Sequence, residues 1–194
     1  MTHHFAVIDL GSNSARMTIW EIEQEVVKPI KRLKEMVRLS EDMGPDRVLQ
    51  PAAMDRTLKA LQGFKPELKK YADLDLKAVA TAAVRQAKNQ KEFLKRVKNE
   101  AGLIINVIPG TREAEYDFLG VINTLPIQNA LIMDTGGAST ELILVQNRKL
   151  QHLVSIPFGS VNLSERFLNP DVISAPEYFA LSTFIHETFN SIWW

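Results

Sequence analysis

Ile8-Asp9-Leu10-Gly11-Ser12-Asn13-Ser14 and Met133-Asp134-Thr135-Gly136-Gly137-Ala138-Ser139 are the two stretches on which the fold turns. In each, an apolar, strand-like run ends in aspartate. A turn of small residues follows, and then a second strand-like run, over 15–22 in one case and 141–146 in the other. Aligning Asp9 with Asp134 brings Gly11 onto Gly136 and Ser14 onto Ser139. We read this as an internal repeat, giving two like domains, 1–125 and 126–194, with a seam near Thr124–Asn129. The plainer alternative is a pair of unrelated hairpins that share Asp, Gly and Ser.

Outward from the first turn, residues 5–10, 15–22 and 26–34 predict a meander of three short strands. Pro51 opens a helix over 51–72, with Ala53, Leu58, Leu61 and Leu68 at helical spacing, and Gly63 and Pro66 are expected to break it. A small apolar strand follows at 77–83. Asn89 is placed to cap a helix over 90–101, which Gly102 ends. A strand at 103–108 and a helix at 112–122 complete the first domain. The pattern then restarts with strands at 130–134, 141–146 and 149–156, the last ending at the Pro157-Phe158-Gly159 turn. A helix over 175–192 carries an apolar stripe of Phe179, Leu181, Phe184, Ile185 and Phe189. Meander plus alternating strands and helices makes the class α/β.

Composition narrows the function. The 23 Lys and Arg balance the 23 Asp and Glu, which argues against a DNA binder or a polybasic membrane binder but leaves room for a local anion site. The chain has no cysteine, so disulfides, thiolate metal sites and a cysteine nucleophile are excluded. No apolar run approaches the roughly 18 residues of a membrane span. His3 and His4 lead straight into a strand with no secretory signature, so a cytosolic (cytoplasmic) protein is expected.

The paired turns have a chemical reading. Glycine permits positive φ and close approach of backbone to ligand, and successive N–H groups at a turn form an anion-binding nest. Ser12, Ser14, Ser139 and Thr140 add hydroxyl donors. The strand-end aspartates would repel a bare phosphate unless a cation stood between, and Mg²⁺ suits oxygen ligands and retained water. Neither turn matches GxxxxGK[ST] or GxGxxG. One such turn is as well explained by hairpin geometry; two point to a phosphate chain. Arg85, after a small apolar strand, is placed for bidentate phosphate contact or is simply an exposed residue at a helix start. Glu113, after Pro109-Gly110, either answers a helix dipole or serves as general base.

These motifs resemble the exopolyphosphatase / guanosine pentaphosphate phosphatase (Ppx/GppA) family of the actin-like, sugar-kinase and Hsp70 ATPase superfamily. The resemblance lies in residues 8–16, in Ala80–Asn89 (Ala-Thr-Ala-Ala-Val-Arg-Gln-Ala-Lys-Asn), in Ile108–Ala114 and in Met133–Leu142. It implies a ribonuclease-H-like (actin-like ATPase) domain repeated twice, with the active site in the cleft between the copies. The implied reaction is Mg²⁺-dependent removal of the terminal phosphate of inorganic polyphosphate or of guanosine pentaphosphate. By position, Asp9, Asp134 and Glu141 resemble the family's cation-linked acids. Gly11, Ser12, Asn13 and Ser14 match its first phosphate loop, and Gly136, Gly137 and Ser139 its second. Arg85 matches its phosphate-binding arginine and Glu113 the glutamate that activates water, so Glu113, Asp134 and Arg85 are the expected catalytic set.

Three features depart from the family pattern. Ala138 stands where the second loop has a third glycine, and a demand for positive φ there would strain it. Arg112 replaces the first of two adjacent glutamates, where it would perturb Glu113 or add a phosphate contact. The second domain is short, an incomplete copy whose open sheet suggests a truncated form or a homodimer. The alternative function is therefore a weakened homologue that binds polyphosphate or guanosine tetraphosphate without turnover.

Overall fold

Strand β1 (His3–Leu10) buries Ala6, Ile8 and Leu10 on one face and leaves its other residues half-buried, the period-2 pattern of a strand with a core on one side. Strand β2 (Ser14–Glu23) runs antiparallel to it, setting Met17 opposite Ile8 and Ala15 opposite Leu10. Strand β3 (Val26–Met36) pairs with β2 and carries Pro29 beside a register shift; as an edge strand it tolerates the missing N–H. The structure is a computed structural model that describes residues 2–24, 26–168 and 172–194.

Helix α1 (Pro51–Leu68) packs Ala53, Met54, Leu58, Leu61 and Phe64 onto this sheet. Neither Gly63 nor Pro66 breaks it, contrary to expectation. Pro66 lies in the last turn, where its missing N–H costs one bond at most, and the buried stripe outweighs it. Strand β4 (Leu74–Ala80) is parallel to β1 and stops at Ala80, short of the 77–83 span. Thr81 donates its N–H to Leu10 O (3.2 Å), and its own carbonyl accepts from Arg85, opening helix α2 (Ala82–Gln86). Helix α3 (Gln90–Arg96) runs into a π-helical turn over Val97–Ala101, which Gly102 ends at φ 66° as expected. Asn89 makes no side-chain cap bond. Its amide instead grips Leu49, accepting from the N–H at 2.9 Å and donating to the carbonyl at 3.0 Å. Arg96 ties α3 to α1 through Asp55, and its bond to Glu100 holds that carboxyl below the usual glutamate range. Strand β5 (Asn106–Val107) completes a sheet in the order β3-β2-β1-β4-β5.

A second compact unit begins at Gly110. Helix α4 (Gly110–Thr124) precedes strands β6 (Ala130–Thr135), β7 (Thr140–Gln146) and β8 (Lys149–Ile156), which form an antiparallel sheet with β6 at one edge. Helices α5 (Ser160–Phe167) and α6 (Ala175–Asn190) follow. The expected boundary at 125/126 is thereby corrected. Ala114, Phe118 and Ile122 of α4 pack with Ile132, Ile143, Val145 and Leu153, so the helix belongs with the later strands. On the opposite face, Leu142, Val154 and Ile156 meet Phe158, Leu163, Phe184 and Phe189, so α6 covers its own sheet as its stripe implied. Phe179 is exposed, as are Leu131 and Met133 of β6. Among the described residues no helix is long and apolar enough to cross a membrane.

Arg148, in the β7–β8 turn at φ 59°, donates to the carbonyls of Ile122 (2.7 Å) and Ile127 (3.0 Å) and so fastens the end of α4 to that hairpin. Arg148→Ala is expected to lower stability by about 1–3 kcal/mol, the worth of such charged bonds, in urea denaturation. No change would mean that α4 is held by its apolar stripe alone.

Candidate phosphate-binding site

The two turns close in the same way. Gly11 donates its N–H to Ser14 O at 3.0 Å, and Gly136 donates to Ser139 O at 2.9 Å. Neither glycine is in the left-handed region, so of the two freedoms that glycine permits, positive φ is not the one used. A Cβ would meet the Ser14 oxygen at 3.3 Å, a tight contact, at Gly11, and the Ser139 oxygen at 3.4 Å, an ordinary one, at Gly136. Ala138 also avoids positive φ, so the strain expected of it is absent.

Both turns are held from behind by their carbonyls. Ser12 O accepts from the Ser40 N–H (3.0 Å), and Asn13 O accepts from the N–H groups of Val37 (3.0 Å) and Arg38 (2.9 Å). In the second unit Gly136 O accepts from the N–H of Ser160 (2.8 Å) and Gly137 O from that of Val161 (2.9 Å). The peptide bonds are trans, so each carbonyl drawn backward turns the N–H of the next residue outward. That applies to Asn13, Ser14, Gly137 and Ala138. Among the described residues, the N–H groups of Ser12, Asn13 and Gly137 donate to no protein acceptor. These holding segments, 37–40 and 158–162, were not legible beforehand. The Pro157-Phe158-Gly159 turn after β8 was the one available sign.

In the first unit, half-buried Asp9 stands on the last turnward stretch of β1, opposite Arg16 on β2. Arg85 follows β4 at the carboxyl end of the parallel pair β1–β4, where ligands of such sheets bind. Its Nη1 donates to Ile108 O at 3.0 Å, which fixes the guanidinium beside β5.

In the second unit, Asp134 is exposed and directly opposite Glu141, an arrangement that sets their Cβ atoms about 5 Å apart. Glu141 is only 2% exposed. The Ser155 hydroxyl donates to its Oε1 (2.7 Å) and the Ser139 hydroxyl to its Oε2 (3.4 Å). Thr140 sends its hydroxyl to Phe158 O (2.9 Å), so it is not the ligand donor expected of it. Glu113 is half-buried in the first turn of α4. Arg112 is engaged by Glu115 (2.6 Å) and lies over the Tyr116 ring.

Among the described residues no three Asp, Glu or His side chains meet as a ligand set. Mg²⁺ does not require one, since it commonly takes one or two carboxylates with water and substrate phosphate completing the shell. Exposed Asp134 fits that role, with Glu141 behind it already satisfied by two serines.

The model of the Ppx/GppA phosphatase family matches residues 18–193. The chain belongs to that family. A bifunctional 3-dehydroquinate synthase/phosphatase of Fusobacterium nucleatum is 35% identical over 84% of this chain and 26% of that protein. A guanosine-5'-triphosphate,3'-diphosphate pyrophosphatase of Pseudoalteromonas atlantica is 34% identical over 91% of this chain and 35% of that protein. The crystal structure of an exopolyphosphatase from Cytophaga hutchinsonii superposes with a TM-score of 0.90 at 29% identity, over 95% of this chain and 60% of that one. The chain thus spans about a third or less of these curated relatives and three fifths of the solved chain. EutJ of Carboxydothermus hydrogenoformans, at a TM-score of 0.52 and 16% identity, shares the actin-like α/β fold alone.

Proposed function

We propose that this Ppx/GppA chain carries the phosphate-gripping part of a Mg²⁺-dependent hydrolase that removes the terminal phosphate of inorganic polyphosphate or of guanosine pentaphosphate. One observation carries the reading: two acid-tipped turns, alike in their closing bond, each clamped by its carbonyls so that backbone N–H groups face outward. The same likeness supports a ribonuclease-H-like unit present twice, with three strands in the second sheet against five in the first.

A phosphoanhydride needs charge neutralisation on its oxygens and a positioned water more than covalent help. The outward N–H groups and Arg85 bind and orient phosphoryl oxygens. Glu113 takes the proton of the attacking water. Asp134 would hold Mg²⁺, with water and substrate phosphate completing the shell and Asp9 and Glu141 as the further acids of this reading, and the ion would supply positive charge to the transferring group. Since Ala138 has an unstrained backbone, one of the three departures that favoured binding without turnover loses its basis.

The test is phosphate release from long-chain polyphosphate and from guanosine pentaphosphate, with Mg²⁺ and with a chelator. Release that needs Mg²⁺ and ends in shortened polyphosphate or guanosine tetraphosphate is expected. Binding of either compound without release, in the full-length protein, would overturn the hydrolase reading.

A further inference from the structure

We infer that helix α5 moulds and polarises the second anion turn from behind, making Gly159 and the Ser160 backbone N–H positioning groups of the phosphate site. The inference rests on the phosphate-site reading above.

A helix start is ordinarily an anion site in its own right. Here its donors are already committed. The N–H groups of Ser160 and Val161 go to Gly136 O and Gly137 O at 2.8 and 2.9 Å, and that of Asn162 reaches Gly137 O at 3.3 Å. The Gly159 N–H is taken by Asn162 Oδ1 at 2.7 Å. The two receiving carbonyls belong to the peptide units that carry the N–H groups of Gly137 and Ala138. In a trans unit these point the opposite way, out of the turn. The positive end of α5 is therefore relayed through these peptide units, each bond polarising the next, and emerges at the Gly137 N–H, which has no protein acceptor among the described residues.

The first turn has no such backing. Its carbonyls are held by residues 37–40, which are not helical. The two turns thus share a shape and differ in field, and the second is the stronger anion binder.

The relay needs the helix to lie against the turn, and Gly159 permits this. A Cβ on Gly159 would land on the Gly136 carbonyl oxygen and within 2.7 Å of Ala138 N and of the Gly137 carbonyl carbon. These are backbone atoms and cannot swing aside. Gly159 itself is extended, at φ −151° and ψ −170°, so its freedom to turn is not what matters.

The test is a titration of the protein with inorganic tripolyphosphate, followed by the amide resonance of Gly137 and by the dissociation constant. Wild type is expected to bind and to shift the Gly137 signal; Ser160→Ala, which keeps the N–H but loses the hydroxyl bond to the same Gly136 carbonyl at 3.2 Å, is expected to lose distinctly less affinity than removal of the N–H does. Ser160→Pro suits the first helical position but removes the donor, and it is expected to weaken binding at least tenfold. Gly159→Ala is expected to do the same. Should Gly159→Ala fail to fold, Ser160→Pro decides, provided the β6–β8 amide signals keep their wild-type positions. Unchanged affinity in Ser160→Pro, or an equal loss in Ser160→Ala, overturns the relay and leaves the phosphate site standing. No binding by wild type overturns both.

Discussion

Glu113→Gln will reduce turnover of polyphosphate or guanosine pentaphosphate by about two to four orders of magnitude, the usual worth of a positioned general base. Glutamine matches glutamate in size and keeps a carbonyl oxygen for orienting water, but it cannot accept the proton that the water loses on attack. Position 113 lies in the first turn of α4, whose next residue, Ala114, is buried in the core of the second unit. The helix is thus anchored whatever stands at 113, and the substitution should leave folding intact. Substrate affinity should stay within a few-fold, because the outward N–H groups and Arg85 are untouched. The measurement is single-turnover phosphate release beside a binding titration. A kcat within threefold of wild type would remove Glu113 from the chemistry; a matching loss of affinity would make it a binding residue.

Phe93→Ala should cost about 3–5 kcal/mol, the range for emptying a phenylalanine site in a packed core. The ring is fully buried in the core cluster of the first unit, which also holds Ile8, Leu10, Ala80, Val84 and Phe64. Helix α3 has seven residues and would not form alone, so packing of this side chain is its main support. The consequence reaches the site, since α3 follows the α2 segment that carries Arg85, and Asn89 between them grips Leu49. Urea denaturation gives the stability loss. A change under about 1 kcal/mol would show that the core collapses around the gap.

The site was partly readable as text. Aspartate, glycine and serine at matching places between apolar runs are local signals, and the closing bond from glycine to serine spans three residues. Arg85 and Glu113 could be singled out because each adjoins a strand or helix end, and the family resemblance gave them their expected roles. What the text did not disclose is what holds the turns. Gly136 and Ser160 are 24 residues apart, and Asn89 and Leu49 are 40 apart, yet each pair is bonded. Asn89 looked like a helix cap because a side-chain amide before a helix has that local option; its actual partner was invisible along the chain. Gly63 and Pro66 looked like breaks for the same reason, since local propensity knows nothing of the stripe from Ala53 to Phe64 that α1 buries.

By itself the sequence determined most of the strands and the two turns, because period-2 alternation and turn chemistry act over a few neighbouring residues, while the family was legible through the resemblance of four ordered motifs. Only the tertiary structure decided that α4 joins the later strands, that Glu141 is buried under two serines, and that Gly159 must lack a side chain. Each of those depends on atoms brought together from distant parts of the chain, where packing and hydrogen bonding, not local preference, set the outcome.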